Sequence, residues 1–261
     1  MADTYPDGSV IVDRDGDVLT MTISNPQRRN AMTHAMYAVI ETTCTRASRD
    51  PSLRAVVLRG AAGHFAGGTD ISELETIISG DQGVQYEHYM AQVQATLLAL
   101  RVPVIAIVEG VCVGGGLVLA ALSDIVYCTP EAKFGSPIAR TLGNTVSAAS
   151  LARMYALLGR RLAGRMLLTG ALIDAQEAER AGFVTAMVPR TELDAVLRTT
   201  LNEISECSSE TIWSFKELER RIDEHLAAVP VDDIYRRIYG GVQFREGLSA
   251  FLDKRRPDFS G

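Results

Sequence analysis

The stretch Val102–Ile125, VPVIAIVEGVCVGGGLVLAALSDI, decides the fold. Two apolar runs flank three successive glycines, Gly114 to Gly116. Its length invites a membrane-spanning reading. Pro103, Glu109 and four glycines, however, break it into two pieces of different period, each too short to cross a bilayer. The pattern instead predicts a buried strand, a glycine turn and a buried helix. Such a junction leaves backbone N–H groups unpaired at the helix start, with the positive end of the helix dipole behind them. Glycine, lacking Cβ, lets that backbone approach a ligand closely. Phosphate binding and stabilisation of a developing oxyanion both use this arrangement. A phosphate loop is disfavoured, because no GK[ST] ending follows and the spacing is not GxGxxG. Spacing alone leaves open an oxyanion site or simple tight strand–helix packing.

A second glycine turn adds weight to the functional alternative. HFAGGTDISEL, His64–Leu74, repeats the order of strand, glycine pair and helix start. One N–H from each turn suffices to hold a single carbonyl oxygen.

Working outward, strand, glycine-containing loop and helix recur along the chain, which indicates an α/β core with a helical C-terminal part. Val10–Val12 and Val18–Ile23 read as a hairpin around DRDGD. Thr33–Ser48 places Met36, Val39, Ile40 and Cys44 at helical spacing. AVVLRG (Ala55–Gly60) is a short buried strand, and Asp70 with Glu73 fits a capping box for a helix starting at Ile71. A longer helix is expected from Gln82 to Leu100, strands at DIVYCT and AKFG, helix from Ser147 to Arg180, a last strand at FVTAMV, and helix from Thr191 onward. The expected organisation is a core over residues 1–200 and a helical region over 201–261.

Composition limits the partners. The chain has 261 residues, 47% hydrophobic and 22% charged, with a formal charge of −6. That balance suits a globular protein with a large core and argues against a nucleic-acid binder. The four cysteines, Cys44, Cys112, Cys128 and Cys207, form no CxxC and have no neighbouring histidine, so neither a metal site nor a disulfide framework is expected. The start, MADTYPDGSV, lacks a basic n-region and an apolar h-region, so no signal peptide is expected. The expectation is a cytoplasmic protein away from membranes.

Four segments together, HFAGGTDISEL, AIVEGVCVGGGLVLAALSDIVYCTPEAKFGSP, LTGALIDAQEAERAGFVTAMV and EGLSAFLDKRRPDF, resemble the signature regions of the enoyl-CoA hydratase/isomerase (crotonase) family, in the family's order and over nearly the whole chain. The resemblance implies a crotonase-like ββα superhelix with a helical C-terminal oligomerisation region, assembled as a trimer or a dimer of trimers. It implies an acyl-CoA thioester as substrate, with coenzyme A arriving as part of that substrate and no permanently bound cofactor. By the same resemblance, the backbone N–H groups of Thr69 and Gly115 form the oxyanion hole. Arg28, Arg29, Ala66, Gly68, Asp70 and Ile71 would contact coenzyme A, and Phe251 and Lys254 would reach it, often from a neighbouring subunit.

The chain departs from the family where its hydratases carry two glutamates. The matching positions here are Val118 and Ile138, and no Asp or Glu occurs from Ala132 to Leu172. Neither side chain can orient water or move a proton. Standard two-glutamate hydration is therefore not expected, and simple isomerases of the family also keep the second acid. Other groups come into question. His64 lies beside the first turn, where a loop histidine also serves structural ends. Arg140 and Asn144, in PIARTLGN, either hold a polar group of the acyl chain or, for Arg140, pair with a surface acid. Glu73 reads as a cap, Asp124 as structural, and His88 with Tyr86 and Tyr89 as pocket wall. The alternatives are an acyl-CoA decarboxylase or isomerase using other residues, and a non-catalytic CoA-ester-binding protein.

Overall fold

The structure is a computed structural model and describes residues 8–259. The expected absence of a signal peptide rests on a segment that lies mostly outside the described residues. Strands β1 (Ser9–Asp15) and β2 (Val18–Ser24) form an antiparallel hairpin closed by Gly16 and Asp17. Gly16 sits at φ +59 in the first loop position, which a two-residue hairpin turn requires. Pairing therefore runs further than DRDGD suggests, up to Asp15 opposite Val18. Asp13 and Arg14 tolerate this because the end of the strand is exposed.

Helix α1 (His34–Ala47) starts at Thr33, whose side chain accepts the Met36 N–H at 3.3 Å. Its buried stripe is Met36, Tyr37, Ile40, Cys44 and Ala47. Val39, expected on that face, is exposed. Strand β3 (Ala55–Gly60) leads through the first glycine turn to a 3-10 turn at Ile71–Thr76. The Asp70–Glu73 capping box does not form there. Asp70 accepts from the Ser72 N–H and hydroxyl instead, and Glu73 faces His34.

Helix α2 (Gly80–Leu98) opens with a capping box of Ser79 and Gln82. Strands β4 (Val104–Val108) and β5 (Val111–Val113) precede α3 (Gly115–Ala121), then come β6 (Ile125–Cys128), β7 (Lys133–Gly135) and α4 (Ile138–Thr141). The segment expected as one helix from Ser147 to Arg180 is α5 (Ala148–Thr169), β8 (Ile173–Asp174) and α6 (Ala175–Ala181). Gly170, at φ +63, ends α5, and Asp174 with Glu177 caps α6. Strand β9 (Ala186–Met187) and helices α7 (Leu193–Glu206), α8 (Ser209–Ala227), α9 (Asp232–Tyr239) and α10 (Val242–Leu252) complete the chain.

The larger sheet has the order β1-β2-β3-β4-β6-β9, parallel after the hairpin, and a smaller one has the order β5-β7-β8. The continuous apolar runs AVVL and VIAIV follow from burial on both faces of the larger sheet. Val56, Leu58, Ala106 and Val108 join the core that includes α1 and α2, whereas Val57, Ile105 and Ile107 pack with Leu193 and Ile204 of α7. The result is the expected α/β core with a helical C-terminal region. Helix α9 returns onto α2 across Gly83, where an added Cβ would lie 2.6 Å from Tyr239 Cδ2. The missing side chain lets Tyr239 settle against α2.

Candidate active site

The two glycine turns meet. A Cβ on Gly68 (φ +91) would lie 3.5 Å from the Gly115 nitrogen and 3.6 Å from Gly114 Cα. Gly114 takes φ +54 and its N–H donates to the Gly135 carbonyl at 2.9 Å. A Cβ on Gly116 would come within 2.5 Å of the Ala66 carbonyl oxygen. The glycines thus serve tight strand–helix packing and bring the two turns close together.

Thr69 is held opposite Met32 in a parallel bridge. The flanking groups carry it: Met32 N–H donates to the Gly68 carbonyl at 2.7 Å, and Asp70 N–H to the Met32 carbonyl at 2.8 Å. Among the described residues, neither the Thr69 nor the Gly115 N–H donates to a backbone carbonyl. Both residues line a cavity of about 800 Å³. The Thr69 hydroxyl lies 3.0 Å from both the Tyr37 and the Tyr86 hydroxyl, which fixes its rotamer. Burial pushes the pKa of both tyrosines up, so they remain neutral hydroxyls.

The cavity has an apolar interior and a basic mouth. Met90, Val93, Val118, Leu119, Ile138 and Leu142 line the interior. Arg28, Arg29, Gly68, Asp70, Ile71, Phe251 and Lys254, all expected near coenzyme A, line the same cavity within one chain. Arg28 pairs with Asp70 at 2.5 Å. Burial raises the Asp70 pKa, but hydrogen bonds from Ser72 and Arg28 outweigh it and hold the carboxyl below its ordinary value.

Three expected site residues lie elsewhere. Ala66 is fully buried and its carbonyl accepts from Val113 N–H, so it belongs to the floor beneath the turn. His64 is not on the cavity wall, and its Nδ1 accepts the Val111 N–H at 3.3 Å. Arg140 also lies off the wall and donates to the Thr169 carbonyl at 2.6 Å, bonding the C-terminal end of α5 rather than an acid. Asn144 does line the cavity, and its Oδ1 is buried with no hydrogen-bond partner among the described residues.

One residue escaped the sequence reading. Glu87 lines the cavity at 8% exposure, and its carboxylate accepts a hydrogen bond from the fully buried Tyr239 hydroxyl. Burial pushes its pKa up to about 7, against the opposing effects of the Tyr239 hydrogen bond and nearby His88. The signal was present: Val84, Glu87, Met90, Val93 and Leu97 fall on one buried helical face, and a carboxylate among them is out of place unless used or paired. Among the described residues, no group of three or more His, Cys, Asp or Glu side chains is placed to hold a metal, and no helix is long and apolar enough to cross a membrane.

Residues 13–261 match the family described as enoyl-CoA hydratase/isomerase. A probable enoyl-CoA hydratase of Mycobacterium tuberculosis is 32% identical over 260 residues, covering 97% of this chain and 98% of its own. The 2,3-dehydroadipyl-CoA hydratase of Escherichia coli is 31% identical over 258 residues, with the same coverage. The crystal structure of an enoyl-CoA hydratase/carnithine racemase from Magnetospirillum magneticum superposes with a TM-score of 0.78 at 32% identity, over 98% of this chain and 96% of that one.

Proposed function

This chain belongs to the enoyl-CoA hydratase/isomerase family, and from that premise we propose that it binds acyl-CoA thioesters and acts on them as a lyase or isomerase by stabilising a thioester enolate. The observation that carries this is the meeting of the two glycine turns at the cavity, with the Thr69 and Gly115 N–H groups free of backbone partners. A thioester oxygen seated between them gains two donors that need no reorganisation as negative charge develops, and the apolar walls strengthen that interaction. Arg28, Arg29 and Lys254 suit the phosphates of coenzyme A at the mouth, with Phe251 as an apolar neighbour. Coenzyme A enters as part of the substrate, and no resident cofactor is invoked.

Standard two-glutamate hydration is not the proposed reaction, because Val118 and Ile138 both line the cavity and neither transfers protons. The proposed setting is cytoplasmic and the proposed assembly a homotrimer or a dimer of trimers. Phe215, Leu218 and Ile222 support that assembly: they recur at spacings of three and four on α8 and are 66%, 59% and 64% exposed, an apolar stripe suited to a second copy. A monomer in sedimentation at micromolar concentration refutes the assembly.

A panel of acyl-CoA esters tests the function. Esters should raise the melting temperature by mass action whereas the free acids should not. Crotonyl-CoA hydration should be very slow, because acid–base groups contribute about 10²–10⁴ in rate and the usual pair is missing. Fast crotonyl-CoA hydration would refute the assignment of Val118 and Ile138. Saturable binding with no turnover of any ester would favour a CoA-ester-binding protein, and no binding at millimolar concentration would remove the proposal.

A further inference from the structure

We propose that Glu87, positioned by Tyr239, is the proton-transfer group of the cavity. The inference rests on the acyl-CoA reading above and supplies the acid–base residue that reading lacks. Asp70 and Glu87 are the cavity's two carboxylates among the described lining residues. Asp70 is taken up by Arg28 and Ser72 at the mouth, whereas among the described residues Glu87 accepts only a neutral donor, the Tyr239 hydroxyl. Burying a carboxyl without a cation is costly in its ionised form, and a group so perturbed in a cleft is a candidate for function.

Its position fits the role. Glu87 and Val118 both line the main cavity and an adjoining one of about 400 Å³, so they share the wall between the two. The carboxyl therefore sits on the same wall as the side of α3 that follows the Gly115 turn. The neighbouring Asn144 gives an independent sign of a ligand. Its side chain lies near enough to Tyr239 to influence that hydroxyl, yet its Oδ1 is a buried acceptor without a donor among the described residues. A buried acceptor on the wall of an open cavity calls for a polar hydrogen, from a bound ligand or from water.

The chemistry balances without a co-reactant. With the thioester oxygen held by the two N–H groups, ionised Glu87 removes a proton from the carbon next to the carbonyl. The C–H electron pair becomes the C=C bond of the enolate, and the carbonyl π pair moves to oxygen. Protonated Glu87 then returns the proton to that carbon, or to the far end of a conjugated enolate, which shifts the double bond. With its pKa near 7, the carboxyl populates both forms at neutral pH. The groups facing it are Tyr239 and Tyr235 from α9, Tyr86 and His88 from its own helix, and Arg153, Arg220, Asp223 and Glu224 across the adjoining cavity, where Arg153 pairs with Glu219 and Asp223 and Arg220 with Glu217 and Glu224. His88 in turn pairs with Asp232 at 3.0 Å.

Deuterium incorporation from D₂O into the α-carbon of butyryl-CoA, followed by mass spectrometry, tests the step, with butyryl-CoA thermal shifts measured in parallel. The wild type should exchange, with a rate that rises as pH passes about 7. E87Q keeps an acceptor for Tyr239, should bind butyryl-CoA as the wild type does, and should exchange about 10²–10⁴ more slowly. Y239F should keep exchanging but with its pH midpoint moved upward, because the lost hydrogen bond favoured the ionised carboxylate. Binding without exchange by the wild type, or wild-type exchange rates in E87Q, overturns the proposal alone. No binding by the wild type overturns the acyl-CoA reading and this proposal together. If E87Q does not fold, an unchanged midpoint in Y239F overturns it.

Discussion

Gly115→Ala should destabilise the protein, although alanine is the better helix former. Gly115 is the first residue of α3 and its φ is not positive, so the backbone accepts alanine and helix propensity alone would stabilise by about 1 kcal/mol. The obstacle is side-chain space. The new methyl would fall inside van der Waals distance of the Tyr37 hydroxyl and 3.3 Å from Met32 Cε. Tyr37 is buried and its hydroxyl is bonded to Thr69 at 3.0 Å, so the methyl pushes the hydroxyl off that hydrogen bond and still leaves the site overpacked. Overpacking costs about 1–3 kcal/mol. A buried hydroxyl left unsatisfied costs about the same again. After the helix gain, the net loss should be on the order of 3 kcal/mol, or roughly 6–12 °C in melting temperature.

Thermal and urea unfolding measure the loss, and Tyr37→Phe isolates its cause. With the hydroxyl gone, the nearest ring atom is Cζ, 3.6 Å from the methyl, an ordinary contact. The double variant should therefore be more stable than Gly115→Ala alone, with a coupling of at least about 1 kcal/mol. Gly164→Ala in α5 is the control, because nothing lies within 4 Å of its Cβ; it should stabilise by about 0.5–1 kcal/mol. Wild-type stability in Gly115→Ala, or an equal effect of Tyr37→Phe in both backgrounds, would refute the reasoning.

Two further outcomes are expected. The raised pKa of Glu87 means the folded state holds that proton more tightly than the unfolded chain. Its stabilising contribution is full below the unfolded value of about 4.5 and is lost as pH rises through about 7. At about 1.4 kcal/mol per pKa unit this amounts to roughly 3 kcal/mol, and Glu87→Gln should remove that slope between pH 4.5 and 7; urea midpoints with the same slope in both proteins would count against it. Gly83→Ala should push Tyr239 and α9 off α2, because its Cβ would lie 2.6 Å from Tyr239 Cδ2. A loss of about 1–3 kcal/mol on thermal unfolding is expected, and an unchanged melting temperature would show that α9 yields freely.

Much of the fold was legible because the larger sheet is buried on both faces. Uniformly apolar strands and their glycine-bearing exits stand out in a linear sequence. What failed to show was short or locally degenerate. β8 has two residues, too few to display alternation between flanking helical patterns. The Asp70–Glu73 spacing satisfies a capping rule, yet Ser72 is nearer to Asp70 and Arg28 is its charge partner, so the local signal lost to a tertiary one. On α1 Tyr37 is buried with its hydroxyl against Thr69, whereas Val39 is exposed, a choice between neighbouring faces that apolar spacing alone does not announce.

The site divides along the same line. The two glycine turns were readable because close backbone approach leaves its trace in glycines, and glycine spacing is local. Glu87 was not, because its partner Tyr239 lies 152 residues away and α9 returns to α2 only in the folded chain. The family likeness hid it further by directing attention to residues 118 and 138, where acids were expected and apolar side chains stand. A carboxylate can reach one wall of a cavity from any element bordering it, and α2 borders this one beside α3. Apolar side chains at residues 118 and 138 therefore say little about proton transfer at this cavity, and a neighbouring element of the same wall is where a carboxylate is to be sought.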